Sequence, residues 1–278
     1  MRALTPRATL AATGKYTSLV LWSLVALVPL VVIGLTSLKS AQDYATSGPL
    51  DLPTSLTFGN YTRAFTDAKM AEAFVNTTII LVISVAGTIV IGTMTAYALD
   101  RFQFRFKKLV VAAFLVATLV PGVTTQVATF QVINALGLYN TRAAPIALFL
   151  GTDIVSIYIF VQFMRSIPIS LDEAAKLDGA NYFRIYRSII FPLLKPAIAT
   201  VVVIKGIAVY NEFYIPFLYM PSRDLGVIST SLQRFKGPLG TQWEILSAGA
   251  VIVIVPTLII FLLLQRWIYN GISAGATK

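Results

Sequence analysis

Long stretches without charge constrain this chain more than any other feature. Six apolar segments, at about 18–38, 74–99, 109–133, 143–164, 197–219 and 245–266, have the length of roughly 20 residues that a helix needs to cross a bilayer. The fourth is interrupted by Asp153, and the fifth by Lys205 and Glu212. In lipid only helices and closed barrels satisfy every backbone polar group, and these segments are much too long for barrel strands. We therefore predict an all-α, polytopic membrane protein with six transmembrane helices in a single domain over residues 1–278.

The composition excludes several classes of protein. With 56% hydrophobic residues, 12% charged residues and a mean hydropathy of +0.77, the chain is not an ordinary soluble domain. It contains no Cys and no His, which removes disulfides, thiolate and imidazole metal ligands, and any Ser–His or Cys–His nucleophile pair. The sequence G-x-x-x-x-G-K-[ST] is also missing, so the chain has no P-loop for ATP. We expect no catalytic residue, no metal and no cofactor on this chain.

The basic residues indicate the orientation in the membrane. With the N-terminus inside, the cytoplasmic loops hold about twice as many Lys and Arg residues as the outer loops, as the positive-inside rule requires. Both termini are therefore expected to be cytoplasmic. The net charge of +10 is explained by topology and by anionic headgroups, so no nucleic-acid partner is expected. The first apolar segment has no small-residue cleavage site after it, and we interpret it as an uncleaved anchor rather than a signal peptide.

The loop at about 165–196 contains a polar island within this apolar chain. Ser170-Leu171-Asp172-Glu173 has the form of a capping box, with Ser170 as the N-cap and Glu173 at the third helical position. Gly179 suits the left-handed residue that ends a helix. The pattern predicts a short amphipathic helix at the cytoplasmic membrane surface. Such a helix can dock a partner, or Glu173 and Gly179 can serve only to begin and end it.

The spacing within this loop resembles the EAA loop of ABC importer permeases. Glu173-Ala174-Ala175 is followed after three residues by Gly179, after nine more by Ile189, and then by Phe191-Pro192, where the family has Leu-Pro. The resemblance implies that the loop is a coupling helix, which inserts into a groove on an ATP-binding subunit. The residues that it implies for ATPase coupling are Glu173, Ala174, Ala175, Asp178, Gly179, Ile189 and Pro192.

The resemblance extends from about Ile167 to Lys278 and narrows to permeases of the carbohydrate-uptake, maltose-type class. Tyr210-Asn211-Glu212-Phe213 is similar to the family's Trp-Asn-acid-Phe segment, and Gly271–Lys278 to its closing signature, a tail expected to contact the ATPase. The fold it implies is the six-helix type I importer permease. The implied partners are a second homologous permease, an ATP-binding subunit dimer that holds ATP and Mg, an extracytoplasmic sugar-binding protein, and the lipid bilayer of a bacterial or archaeal plasma membrane.

Polar residues inside the apolar segments are candidates for the transport pathway. Ionisable groups at membrane depth usually face the bundle interior or a water-filled cavity. We expect the segment Tyr210, Asn211, Glu212 and Phe213 to line the substrate pathway, and Asp153 to form an ion pair with Lys205 on the next span. The alternative is a purely structural role for the ion pair and for Glu212. Two other functions remain open: a permease for a non-sugar solute such as a phosphorylated polyol, and an ion-coupled secondary transporter component in which these groups relay ions.

Overall fold

The computed structural model describes the backbone of residues 6–122, 124–151, 153–237 and 240–276, with the side chains of 6–12, 260, 261 and 263–276 left undescribed. The α-helices are α1 (Pro6–Ser37), α2 (Ala41–Thr46), α3 (Gly59–Asp67), α4 (Met70–Arg101), α5 (Lys107–Leu119), α6 (Gln126–Ala135), α7 (Ala143–Gly151), α8 (Ile154–Met164), α9 (Ser170–Leu177), α10 (Tyr182–Ile185), α11 (Phe191–Leu193), α12 (Lys195–Asn211), α13 (Tyr214–Tyr219), α14 (Ile228–Ser231) and α15 (Trp243–Ala276).

Shorter elements complete the described chain. A π-helical turn covers Tyr186–Ile190, and 3₁₀ turns cover Arg223–Leu225 and Leu232–Phe235. Two residues of β1 (Lys236–Gly237) pair antiparallel with β2 (Gly240–Thr241). Because this small hairpin is the only β-structure among the described residues, the all-α prediction is confirmed. Most of the tail Gly271–Lys278 continues the backbone of α15, and its side chains lie outside the described residues.

Each of the six predicted spans is built from helix, but three of them are not continuous helices as the hydropathy suggested. The third is divided between α5 and α6 close to Pro121, which has no N–H for a helical hydrogen bond. In the fourth, Asp153 is the N-cap of α8, and its carboxylate accepts a hydrogen bond from the Ser156 N–H at 3.1 Å. The fifth is divided at Glu212, between α12 and α13. Apolar composition does not reveal such breaks.

By length and composition, two helical segments are on their own able to cross a membrane. These are Thr13–Ser37 within α1, and Met70–Arg101. Two bent pairs satisfy the same test when each is taken as one span, namely Ala143–Gly151 with Ile154–Met164 and Tyr182–Leu193 with Lys195–Asn211. Trp243–Ile259 is a shorter apolar helix. Within the described residues there are thus up to four spans by this measure.

The chain divides into two compact units. One comprises Met1–Ala68 and Leu232–Leu258, the other Lys69–Ser231 and Ile259–Lys278. In the first unit, α3 packs against α15 at Gly249, where a Cβ would lie 3.6 Å from the Cβ of Ala64 and would collide with the Leu232 side chain. The glycine therefore lets the two helices approach closely.

In the second unit α4 is the central helix, in contact with α7, α8, α12 and α14. Gly92 sits against the Phe160 ring of α8, where a Cβ would come within 2.9 Å of ring carbons. Small residues at such positions are typical of membrane helices, since close backbone approach supplies packing where lipid offers no hydrophobic gain. The largest buried cluster of this unit joins the end of α4 to the loop after α8; its members are Ala96, Tyr97, Phe160, Met164, Ile167, Ala175, Ile185, Tyr186, Ile190, Leu194, Ala197 and Val201.

Candidate coupling site and the polar residues of the spans

Helix α9 begins one residue earlier than the capping-box pattern predicts. Ile169 is the N-cap, with helical φ and ψ, and Ser170 is already the first helical residue. The Leu171 N–H donates to the Pro168 carbonyl at 3.3 Å, and the Asp172 N–H donates to the Ile169 carbonyl at 2.9 Å. The turn therefore starts at Pro168, and Ser170 cannot take the extended backbone that a capping residue needs. The prediction of Ser170 as the N-cap is wrong.

The end of α9 is as predicted. Gly179 has a φ of +79°, in the left-handed region that L residues avoid. The Ala180 N–H donates to the Ala175 carbonyl at 2.9 Å, and the Gly179 N–H donates to the Lys176 carbonyl at 3.0 Å. This pair of hydrogen bonds is a Schellman motif, which satisfies the last carbonyls of the helix. Gly179 therefore fixes where α9 ends and the direction in which the chain leaves it.

One face of α9 is exposed. Of the residues predicted for coupling, Glu173, Ala174, Asp178, Gly179 and Pro192 are exposed, Ile189 is half-buried, and Ala175 is buried in the core. The same face carries Leu177, which is 90% exposed, and Phe183 on α10 is exposed as well. Sequence reasoning missed both of these apolar residues. The signal in the sequence was their position beside charged residues, with Leu177 between Lys176 and Asp178 and Phe183 before Arg184. In the structure they are exposed together, and such groups of large apolar residues mark interaction surfaces.

The opposite face of α9 is anchored to α4 by a buried charged cluster. The Arg101 Nε donates to Asp172 Oδ2 at 3.1 Å, and the Tyr97 hydroxyl donates to Asp172 Oδ1 at 3.1 Å. The other guanidinium nitrogens donate to the Ile167 carbonyl at 2.8 Å and to Asp100 Oδ2 at 2.6 Å. Sequence reasoning named Asp172 only within the capping-box pattern and missed Arg101 and Tyr97. An Asp-Arg pair directly after an uncharged span was the available signal.

A second contact joins α4 to the loop beyond α9. The hydroxyl oxygens of Tyr186 and Thr93 lie 2.8 Å apart, and Thr93 also donates to the Ile89 carbonyl at 2.6 Å. Tyr186 opens the π-helical turn, and its ring lies 5.7 Å from that of Tyr97. The segment that contains α9 and the π-helical turn is therefore held on α4 by hydrogen bonds and by aromatic packing.

The structure brings Asp153 and Lys205 together. Lys205 Nζ lies 2.8 Å from Asp153 Oδ2, with both side chains largely buried at 14% and 13% exposure. The contact has ion-pair distance, although Asp153 Oδ2 accepts no hydrogen bond with good geometry. Lys205 Nζ also donates to the Phe149 carbonyl at 2.9 Å. The ammonium is thus shared between a carboxylate and a helix-end carbonyl.

The candidate pathway segment lies at the junction of α12 and α13. The Glu212 carboxylate accepts hydrogen bonds from the N–H groups of Tyr214 at 2.9 Å and Ile215 at 3.2 Å, so it caps α13. Asn211, on the exposed side, donates to the Ile207 carbonyl at 3.0 Å, and the Phe213 ring stacks on Phe217 with centroids 5.2 Å apart. Tyr210 and Glu212 line one small hollow together with Thr77 and Phe149, among others.

A polar contact that the sequence did not predict lies near the start of α4 and joins it to two other segments. Asn76 is 1% exposed, and its Nδ2 donates to the carbonyls of Asp224 and Gly226, each at 2.9 Å. Its Oδ1 accepts from Arg142 Nε at 2.7 Å. One carboxamide therefore ties the loop around Arg223–Leu225 and the start of α7 to α4, with all its hydrogen-bonding groups satisfied.

Comparison with known proteins assigns the chain to a family. Residues 88–274 match the family described as binding-protein-dependent transport system inner membrane component. The melibiose/raffinose/stachyose import permease protein of Bacillus subtilis is 30% identical, over 90% of this chain and 91% of that protein. A probable starch degradation products transport system permease protein of Thermoanaerobacterium thermosulfurigenes is 32% identical, over 92% and 93%. The trehalose transport system permease protein of Mycobacterium tuberculosis is 30% identical, over 91% and 93%.

Among solved structures, a chain of a bacterial ABC transporter involved in the import of the acidic polysaccharide alginate superposes with a TM-score of 0.83. It shares 21% identity, with 96% of this chain and 99% of that chain covered. At that identity the likeness shows the fold, which is that of a type I ABC importer permease. Together with the family match over residues 88–274, these findings show that the protein is a membrane protein of the binding-protein-dependent transport system inner membrane component family.

Proposed function

We propose that this protein is a transmembrane subunit of an ATP-driven, binding-protein-dependent importer of sugars, either mono- or oligosaccharides. Relatives at about the same identity along nearly the whole chain are named for melibiose, raffinose and stachyose, for starch degradation products and for trehalose. These solutes share a neutral, hydroxyl-rich surface. In the proposal the chain forms half of the translocation pathway, and a second homologous permease forms the other half.

The observation that carries the proposal is the exposed face of α9. The helix is preformed and capped by the Schellman motif at Gly179, yet it presents Glu173 and the 90% exposed Leu177 outward. Exposing a leucine in this way costs free energy unless a partner covers it, since burying a leucine side chain is worth about 1.5–3 kcal/mol. We infer that a separate ATPase subunit, which holds ATP and Mg, covers this face.

The mechanism follows from this arrangement. ATP binding draws two ATPase subunits together, and α9 moves with the subunit to which it is docked. The membrane helices then expose the pathway alternately to the outside and to the cytoplasm. In this scheme α9 and both termini are cytoplasmic, and an extracytoplasmic sugar-binding protein delivers the solute. The segment from Tyr210 to Phe213 contacts the solute in passage.

Substitution of Leu177 tests the proposal. We expect Leu177→Asp to leave the protein in the membrane in normal amount, because the side chain has almost no contacts within the chain. The ATPase subunit should no longer co-purify with it. Leu52→Asp is the matched control, because Leu52 is 77% exposed in the segment between α2 and α3, far along the chain from α9. Normal ATPase recovery with Leu177→Asp would remove α9 from the docking role.

A further inference from the structure

We propose that Arg101, together with Tyr97, is a positioning residue that makes α9 and the cytoplasmic end of α4 one moving unit. Motion of the ATPase would then be transmitted to the membrane-spanning helices through α4, and not along the chain into α12. This inference rests on the proposed docking of α9. It concerns a step after docking, namely how the displacement of α9 reaches the spans.

The strongest contact is the ion pair between Arg101 and Asp172. Their side chains are 6% and 5% exposed, so the pair is shielded from water and from salt. The Arg101 guanidinium also donates a hydrogen bond to the carbonyl of Ile167, in the segment that leads into α9. The planar guanidinium fixes these directions at once, which a lysine does not do. The first turn of α9 and its approach segment are thus both attached to one side chain of α4.

The other contacts lie on the same stripe of α4. Thr93, Tyr97 and Arg101 follow each other at intervals of four residues, and residues with that spacing share one helix face. Tyr97 donates to Asp172, and Thr93 contacts Tyr186 in the π-helical turn. Each residue of the stripe therefore contacts either α9 or the π-helical turn that follows it. A displacement of α9 must move this face of α4, or else break buried polar contacts.

The path along the chain into α12 is less direct. After Gly179 the chain passes through the π-helical turn Tyr186–Ile190, and the segments Tyr182–Leu193 and Lys195–Asn211 then meet at an angle of 71°. π-Helical turns interrupt the regular hydrogen-bond ladder of an α-helix and often occur at functional sites. A bend of this kind between separate helical segments can change its angle without breaking either of them. The chain between α9 and α12 is therefore bent, whereas buried polar contacts join α9 directly to α4.

A coupling measurement on the assembled transporter, with its ATPase and binding protein, tests the proposal. Asp172→Asn and Arg101→Gln each remove one charge of the pair. We expect both complexes to retain the ATPase and to hydrolyse ATP, while sugar uptake per ATP falls by at least about fivefold, the low end of typical coupling energies. Asp67→Asn is the control, because it makes the same change in an exposed pair with Arg63. Normal uptake per ATP in both variants would overturn the proposal. A wild-type protein that assembles with no ATPase would instead overturn the proposed function.

A distance measurement covers the case in which these variants fail to fold. The chain has no native cysteine, so spin labels can be introduced at chosen pairs of exposed positions. One pair joins α9 to α4 through Ser170→Cys and Ala98→Cys, and the other joins α9 to α12 through Ser170→Cys and Val202→Cys. We expect the first distance to be the same with and without ATP, and the second to change. A nucleotide-dependent change in the first distance, or a constant second distance, would overturn the proposal.

Discussion

Lys205 and Asp153 form an ion pair at the point where the fourth predicted span is broken. The Lys205 ammonium lies 2.8 Å from the Asp153 carboxylate, which caps α8, and 2.9 Å from the Phe149 carbonyl near the end of α7. Carbonyls in the last turn of a helix have no partner within the helix, and in an apolar interior they need one from elsewhere. A single side chain of α12 therefore contacts both ends of the break, as the counter-ion of Asp153 and as the hydrogen-bond donor to the Phe149 carbonyl.

Removing one member of this pair is expected to destabilise the protein strongly. Lys205→Met leaves the Asp153 carboxylate without its counter-ion, and Asp153→Asn leaves the ammonium without its own. Loss of one partner from a buried pair typically costs about 3 kcal/mol or more. We expect both single variants to unfold at clearly lower temperature in detergent than the wild-type protein.

The double variant tests whether Asp153 and Lys205 stabilise the protein as a pair. Asp153→Asn with Lys205→Met contains no unpaired charge, so its unfolding temperature should lie above that of either single variant. Additive losses in the double variant would show that the two side chains act independently, and that the 2.8 Å contact contributes nothing to stability.

The left-handed backbone at Gly179 yields a second prediction. At this φ of +79° a Cβ costs about 1–2 kcal/mol, although it meets no neighbouring atom. We expect Gly179→Ala to speed amide hydrogen exchange in α9. Gly206→Ala in α12 is the matched control, since that site is equally open without a positive φ, and it should leave exchange unchanged or slower. Equal exchange of α9 in the two variants would mean that Gly179 does not fix the helix end.

The segment around α9 shows which features of the structure could be predicted from the sequence. The glycine at the end of α9 is a local feature, and its effect follows from residue type and position alone. The prediction of Ser170 as the N-cap also rested on a local pattern, but it was wrong because the turn already begins at Pro168. The contact between Arg101 and Asp172 links residues 71 positions apart, so no local pattern contains it. Hydropathy found the apolar segments, and it missed the breaks because a single Pro, Asp or Glu changes a window average very little.

Asn76 is expected to be essential for the loop around Arg223–Leu225. Asn76→Leu keeps a similar volume but removes the hydrogen bonds to two carbonyls and to the Arg142 Nε, and each such bond contributes about 0.5–1.5 kcal/mol. We expect faster tryptic cleavage after Arg223. Thr78→Val is the control, because that hydroxyl is exposed and donates to the Phe74 carbonyl of its own helix. Cleavage at the wild-type rate in Asn76→Leu would contradict this assignment.

Glu212 and Asn211 should differ in their effects, although both belong to the candidate pathway segment. Glu212→Ala removes the cap of α13, and loss of a capping side chain costs about 1 kcal/mol. We expect it to lower the unfolding temperature, whereas Glu212→Gln, which keeps an acceptor oxygen, should not. Asn211→Ala should change the apparent KM for sugar uptake with assembly retained. If Glu212→Ala were as stable as the wild-type protein, the capping role would be wrong.

The most direct test of the whole account is sugar uptake into vesicles that contain the purified complex of this chain, its partner permease and its ATPase, with the binding protein added outside and ATP enclosed. We predict that labelled oligosaccharide accumulates only with ATP inside, and that Glu173→Lys, on the exposed face of α9, abolishes accumulation without reducing the amount of this protein in the vesicles. Accumulation that needs an ion gradient and no ATP, or that is normal in Glu173→Lys, would contradict the account.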